Sequence, residues 1–224
     1  MQPPSNKVAV VSGATRGFGR AVALRLAAAG QHIVALGRTV GALEELDDGI
    51  RKAGGSATLV PIDFMGDLAL CDQLGAELHQ KFGKIDTLVL SAATLGMLTP
   101  LAHMDPALME RTLRINVLAP YRLLRSFDPL LRAAKGKAVG ITCSLGDDTL
   151  AYWSHYRASK AALTDMIGSY KAEVANAGVT AFAFDPGPMD TGLYREAFPG
   201  AAPGSIPSPD VAAEKLSKLL LLFA

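Results

Sequence analysis

Six short apolar runs, separated by longer segments of helical spacing, restrict this chain to a narrow set of folds. The runs are Lys7–Ser12, His32–Gly37, Ser56–Ile62, Thr87–Ala92, Lys137–Cys143 and Val179–Phe184. They are rich in β-branched residues and nearly continuous in apolar character, as strands covered on both faces are. Segments such as Gly19–Ala29 and Leu68–Phe82 lie between them and are long enough for helices. Strand, helix and strand in repeated order predict an α/β fold, a doubly wound parallel sheet of six strands with helices on both faces. Right-handed crossovers then place a ligand crevice beyond the carboxyl ends of the strands, where the strand order reverses.

No stretch dense in Pro, Gly or Ser divides the chain, so residues 1–224 are expected to form one domain. Residues 186–209 stand apart, carrying six of the 13 prolines. They read as a long excursion, suited to a substrate lid or to a plain surface loop. The chain closes on the apolar run Leu219–Phe223.

Composition removes several function classes. With 22 Lys+Arg against 21 Asp+Glu, the net charge of +1 offers no basic excess for nucleic acid. No apolar run approaches the roughly 18 residues of a membrane span, and the first residues lack the apolar core of an export signal. A cytoplasmic location is therefore expected. Cys71 and Cys143 make no disulfide framework and read as reduced thiols, with Cys71 facing the core. His32, His79 and His103 lie far apart, without metal-ligand spacing.

The first strand runs into Ser12-Gly13-Ala14-Thr15-Arg16-Gly17-Phe18-Gly19, and a helix follows. Glycines there let the backbone turn tightly and approach a pyrophosphate, while the helix amino end contributes unpaired N–H donors. The spacing is Gly-x-x-x-Gly-x-Gly, distinct from the commoner dinucleotide fingerprint. At the end of the second strand, where a carboxylate would bind the ribose 2′-hydroxyl of NAD, stands Gly37-Arg38-Thr39 with no acid. Arg16 and Arg38 are suited to a 2′-phosphate, which points to NADP(H) in preference to NAD(H).

In these residues the chain resembles the short-chain dehydrogenase/reductase family. The glycine pattern matches, with Ser12 where that family usually has threonine. Asp63, followed by Phe64, corresponds to the family's adenine-contacting acid, and Ser91-Ala92-Ala93-Thr94 loosely replaces its Asn-Asn-Ala-Gly segment. Asn116 corresponds to its helix-borne asparagine, and Tyr156-Arg157-Ala158-Ser159-Lys160 to its Tyr-x-x-x-Lys signature. Pro186-Gly187-Pro188-Met189-Asp190-Thr191 matches its Pro-Gly segment, whose threonine contacts the nicotinamide carboxamide. The matches keep family order from residue 7 to about 191.

The resemblance implies a Rossmann-type fold, a nicotinamide cofactor, a small carbonyl or alcohol substrate and a homo-oligomer, dimer or tetramer. It implies cofactor contacts from Gly13, Thr15, Arg16, Gly17, Phe18, Gly19, Arg38, Asp63, Phe64, Ser91, Ala92, Ala93, Tyr156, Lys160, Pro186, Gly187 and Thr191. It makes Tyr156 the general acid or base and gives Lys160 the nicotinamide ribose. Asn116 would hold a water linking Lys160 to solvent.

Four residues apart on a helix, Tyr156 and Lys160 share a face. A free tyrosine titrates near 10, so an adjacent ammonium is expected to pull the phenol towards neutrality. The family's orienting serine falls thirteen residues before the tyrosine, which here is Cys143, with Ser144 next. A thiol polarises a carbonyl poorly, which favours Ser144 with Cys143 as the alternative. Trp153 is suited to pocket lining or to packing, and Met189, Leu193 and Tyr194 to an apolar wall that would suit a lipophilic ketone or aldehyde. A second reading stays open: a catalytically weak or inactive NADP(H)-binding regulator or scaffold, motivated by Cys143.

Overall fold

The structure is a computed structural model, and it describes residues 7–143, 150–202 and 204–222. Six strands form one parallel sheet: β1 Val8–Ser12, β2 His32–Gly37, β3 Ala57–Pro61, β4 Thr87–Leu90, β5 Lys137–Ile141 and β6 Thr180–Phe184. Their spatial order is β3-β2-β1-β4-β5-β6. The winding direction therefore reverses between β1 and β4, where Ala9–Ser12 pair with Thr87–Leu90. Each strand lies within the apolar run expected for it: β2 fills its run, and the other five are shortened at one or both ends. The runs were too long because residues such as Ala92 and Cys143 belong to the turns that leave the sheet.

Eight α-helices are present among the described residues: α1 Gly17–Ala28, α2 Val40–Lys52, α3 Ala69–Phe82, α4 Pro106–Leu113, α5 Ala119–Ala134, α6 Ser154–Val174, α7 Gly192–Ala197 and α8 Pro209–Leu222. Alternate residues of each strand feed opposite cores, as the two-residue strand period requires. Val8, Val10, Val34, Leu36, Leu88, Leu90 and Ala138 pack with residues of α3, α5 and α6. Ala9, Val11, Ile33, Ala35, Val89, Val139 and Ile141 pack with residues of α1, α2 and α8. β1, β4 and β5 are buried along their whole length, whereas the edge strands β3 and β6 are only partly covered. This double covering explains why the inner strands read as unbroken apolar runs.

Between α4 and α5 the helix widens into a π-turn, Arg114–Leu118. Within residues 186–209, the chain forms the six-residue helix α7, capped by Thr191, whose hydroxyl accepts from the Tyr194 N–H at 3.2 Å. Pro209 occupies the first turn of α8, where its missing N–H costs nothing.

Candidate active site

The turn from β1 into α1 is built around close backbone approach. Gly13 has φ +67, and a Cβ there would stand 2.8 Å from Ala92 Cα. A Cβ at Gly19 would run into the Gly13 carbonyl oxygen. Gly19→Ala is therefore expected to cost about 1–3 kcal/mol of stability, because the obstacle is backbone. Chemical denaturation would measure this; unchanged stability would refute so tight a turn.

Ser12 fixes the other side of the crevice, its Oγ accepting from the N–H groups of Ser91 (3.1 Å) and Ala92 (3.2 Å). The Arg16 side chain does not cap α1, so the helix amino end keeps donors for an anion. The end of β2 joins the same turn. Ala14 N–H donates to Leu36 O at 3.1 Å, and a Cβ on Gly37 would meet Thr15 Cγ2 at 2.5 Å. Arg38, exposed and one residue further, thus emerges beside the turn that carries Arg16. Asp63 follows β3, its carboxylate accepting from Met65 N–H at 3.0 Å. Phe64 is buried behind it in the core. Thr191 reaches the same place from the far side, since a Cβ on Gly17 would lie 3.3 Å from its Cγ2.

On α6, Tyr156 and Lys160 are both buried, 5% and 3% exposed. Lys160 Nζ donates to the Ile141 carbonyl at the end of β5, 2.7 Å away, and stands 5.7 Å from the centroid of the Tyr156 ring. That single bond ties the helix to the strand whose carboxyl end borders the crevice. The tuning expected from spacing is not what the protein alone provides. Burial pushes the Tyr156 phenol above its ordinary 10, and Cys143 and Asp185 add to the rise. Burial also pulls the Lys160 ammonium from 10.5 to about 8, partly offset by Cys143 and Asp185. Desolvation, invisible in sequence spacing, outweighs the helical proximity of the two groups.

Asn116 lies in the π-turn and is fully buried. Its side-chain N–H groups donate to Thr94 O (3.0 Å) and Ser159 Oγ (2.9 Å), and its Oδ1 accepts from Thr94 N–H (2.9 Å). Ser159 Oγ in turn donates to Tyr156 O at 2.7 Å. Asn116 therefore joins the loop after β4 to the Tyr156 turn of α6, and both of its donors go to protein partners. Pro186 and Gly187 follow β6, with Gly187 at φ +72 and its N–H donating to Asp185 Oδ1 at 2.8 Å.

Cys143 packs, half-buried, against a small core of Leu95, Trp153 and Tyr156. Ser144, the favoured orienting hydroxyl, lies outside the described residues. Sequence reasoning gave no role to Ser159, seen only as part of the tyrosine-lysine segment, or to His155 beside Tyr156, and it passed over Phe198. His155, fully buried, bonds the Leu95 carbonyl at 2.8 Å and so fixes the loop after β4 to the start of α6. Its place immediately before Tyr156 was the available signal. Among the described residues, no group of three or more His, Cys, Asp or Glu is set to hold a metal ion, and no helix is long and apolar enough to cross a membrane.

The short chain dehydrogenase family model matches residues 7–201. The chain belongs to the short-chain dehydrogenase family. It is 26% identical over 211 residues to the uncharacterized oxidoreductase YciK of Escherichia coli, covering 92% of this chain and 82% of that one. For three further curated relatives it spans 57–61% of their length. A short chain dehydrogenase structure from Pseudomonas syringae superposes with a TM-score of 0.91 at 28% identity, covering 98% of this chain and 92% of the other. A metagenomic short-chain oxidoreductase solved in complex with NADP gives 0.82 at 29% identity, covering 96% and 91%. Family membership sets the general class as NAD(P)H-dependent oxidoreductase acting on carbonyl or alcohol groups. The crevice fits the cofactor of such a short-chain dehydrogenase: a glycine turn too tight for side chains opens on an uncapped helix end, with a buried tyrosine and lysine at the neighbouring strand.

Proposed function

We propose that this short-chain dehydrogenase uses NADP(H) and reduces a carbonyl, or oxidises the matching alcohol, with Tyr156 as the acid or base. The observation that carries the reading is Lys160 on the Ile141 carbonyl, which seats Tyr156 at the carboxyl end of β5 beside the crevice. The glycine turn, Ser91–Ala93, Asp63, Phe64, Pro186, Gly187 and Thr191 would hold the dinucleotide, with Tyr156 and Lys160 on its nicotinamide half. Bound nicotinamide supplies the hydride that reaches the carbonyl carbon and is oxidised by two electrons.

Tyr156 Oη–H gives its proton to the carbonyl oxygen, completing the alcohol. The phenolate left behind has Lys160 as its cationic neighbour, and solvent returns the proton. With the phenol raised by burial, deprotonated Tyr156 is scarce before the cofactor binds. The protonated phenol is the form that can donate to a carbonyl oxygen. Asn116 acts as a positioning residue, keeping the loop after β4 in register with α6. A water on its Oδ1 would complete the link from Lys160 to solvent. Ser144, or Cys143 in its place, would orient the substrate carbonyl. Residues 186–209 would serve as the lid of a single-domain, cytoplasmic homo-oligomer.

The preference for NADP(H) is supported by Arg38 emerging beside the turn that bears Arg16, and by the NADP-bound relative. Charge-assisted bonds to a 2′-phosphate predict that Arg38→Asp weakens NADPH binding by about 10- to 100-fold and brings NADH level with it. Titration of each cofactor by fluorescence checks this, and an unchanged NADPH to NADH ratio would refute the arginine's role. Cys143 against Tyr156 favours a second reading, a cofactor-binding protein with little turnover. NADPH consumption across a panel of carbonyl compounds separates the two readings.

A further inference from the structure

The short helix α7 has two unlike sides. Arg195 pairs with Asp190 at 2.7 Å and Glu196 faces Arg16 at 3.9 Å, so its charged residues turn towards the loop base and the glycine turn. Leu193 and Ala197, four apart, instead pack against Leu95, Trp153 and Tyr156. Tyr194 and Phe198, also four apart, pair at 4.8 Å between ring centroids. Phe198 then lies 5.8 Å from Trp153, and Trp153 meets Tyr156 edge-on at 5.9 Å. These separations are those of favourable aromatic pairs. A continuous aromatic row therefore runs from the phenol of Tyr156 through Trp153, both buried, outward to Phe198, which is 40% exposed and presents the row's open face.

We propose that the substrate is a carbonyl compound bearing an uncharged aromatic group, seated against Phe198 with the buried Trp153 behind it, with Phe198 as the specificity-determining residue. This rests on Tyr156 being the proton donor, because the row ends there. A ring laid on the row's open face exchanges water for aromatic and aliphatic contacts, whereas a polyhydroxylated substituent would lose hydrogen bonds to water there.

The chain has a single tryptophan, Trp153, so its emission reports on this row alone. Acetophenone with NADP+ cannot react, both being oxidised, and measures binding apart from chemistry. Acetophenone is expected to quench Trp153 saturably, with pyruvate and dihydroxyacetone silent over the same range. Phe198→Ala should weaken acetophenone by about tenfold, and Phe198→Tyr should restore it. In turnover with NADPH, acetophenone should exceed pyruvate in kcat/KM by about 100-fold or more. Preference for pyruvate or dihydroxyacetone, or indifference to Phe198→Ala, overturns the substrate class and leaves Tyr156 chemistry standing. Selective acetophenone binding without NADPH consumption by any of the three compounds does the reverse: the aromatic site stands, and the role of Tyr156 falls.

Discussion

Tyr156→Phe is expected to lower kcat/KM for carbonyl reduction by about 10²- to 10⁴-fold, the usual worth of a positioned proton donor. NADPH binding should be essentially unchanged. The phenyl ring retains the edge-on contact with Trp153 and its place beside Leu95, so the helix start has no packing reason to move. Steady-state kinetics and a cofactor titration on the same preparation decide the matter. Retained turnover would transfer the proton to another group. Loss of NADPH affinity along with activity would mean that the hydroxyl holds cofactor rather than serving chemistry.

Lys160→Met should remove activity by a similar factor and at the same time make the protein more stable at pH 7. The amine is fully buried, and its fall from 10.5 to about 8 corresponds to about 3 kcal/mol of unfavourable burial. Below pH 8 both the folded and unfolded chains carry the proton, and the whole penalty applies. Between pH 8 and 10.5 the folded protein has released a proton that the unfolded chain still holds, so stability rises with pH across that window and levels off above it. Methionine removes the penalty but also the bond to the Ile141 carbonyl, which is worth about 1 kcal/mol. The net gain of about 2 kcal/mol should appear as a rise in Tm of roughly 4–8 °C. The variant should also lose the rise in stability between pH 8 and 10.5. A lower Tm at pH 7 would show that the ammonium is stabilised where it sits, contrary to the desolvation argument.

Much of the fold was legible because doubly covered strands leave a mark no surface element makes. Val8–Val11, Ile33–Leu36 and Val89–Leu90 are apolar on both sides of the chain, since both sides meet helices. The glycine turn was legible for a related reason. Gly13 and Gly19 stand where a Cβ has no room, and the sequence records that exclusion directly. The pairing of Tyr156 with Lys160 followed from helical spacing. Their protonation did not, because burial depends on what β5 and the loop after β4 place around them. The helix within residues 186–209 was also hidden. Six residues flanked by prolines carry too little periodicity to announce α7, and Phe198 acquires meaning only once Trp153 is seen against it. Asn116 was found by its motif, but its partners Thr94 and Ser159 come from segments 22 and 43 residues away.

The widened turn at Arg114–Leu118 makes chain length, more than residue type, the guarded property of that segment. Each residue of a regular helix advances about 100° around the axis. Deleting one residue before Asn116 would swing its amide away from Thr94 and Ser159 while leaving α4 and α5 free to continue as one unbroken rod. A scan of single-codon deletions should thus tolerate losses in the exposed turn at Gly54 yet show a sharp gap across residues 114–116, even where point substitutions are accepted.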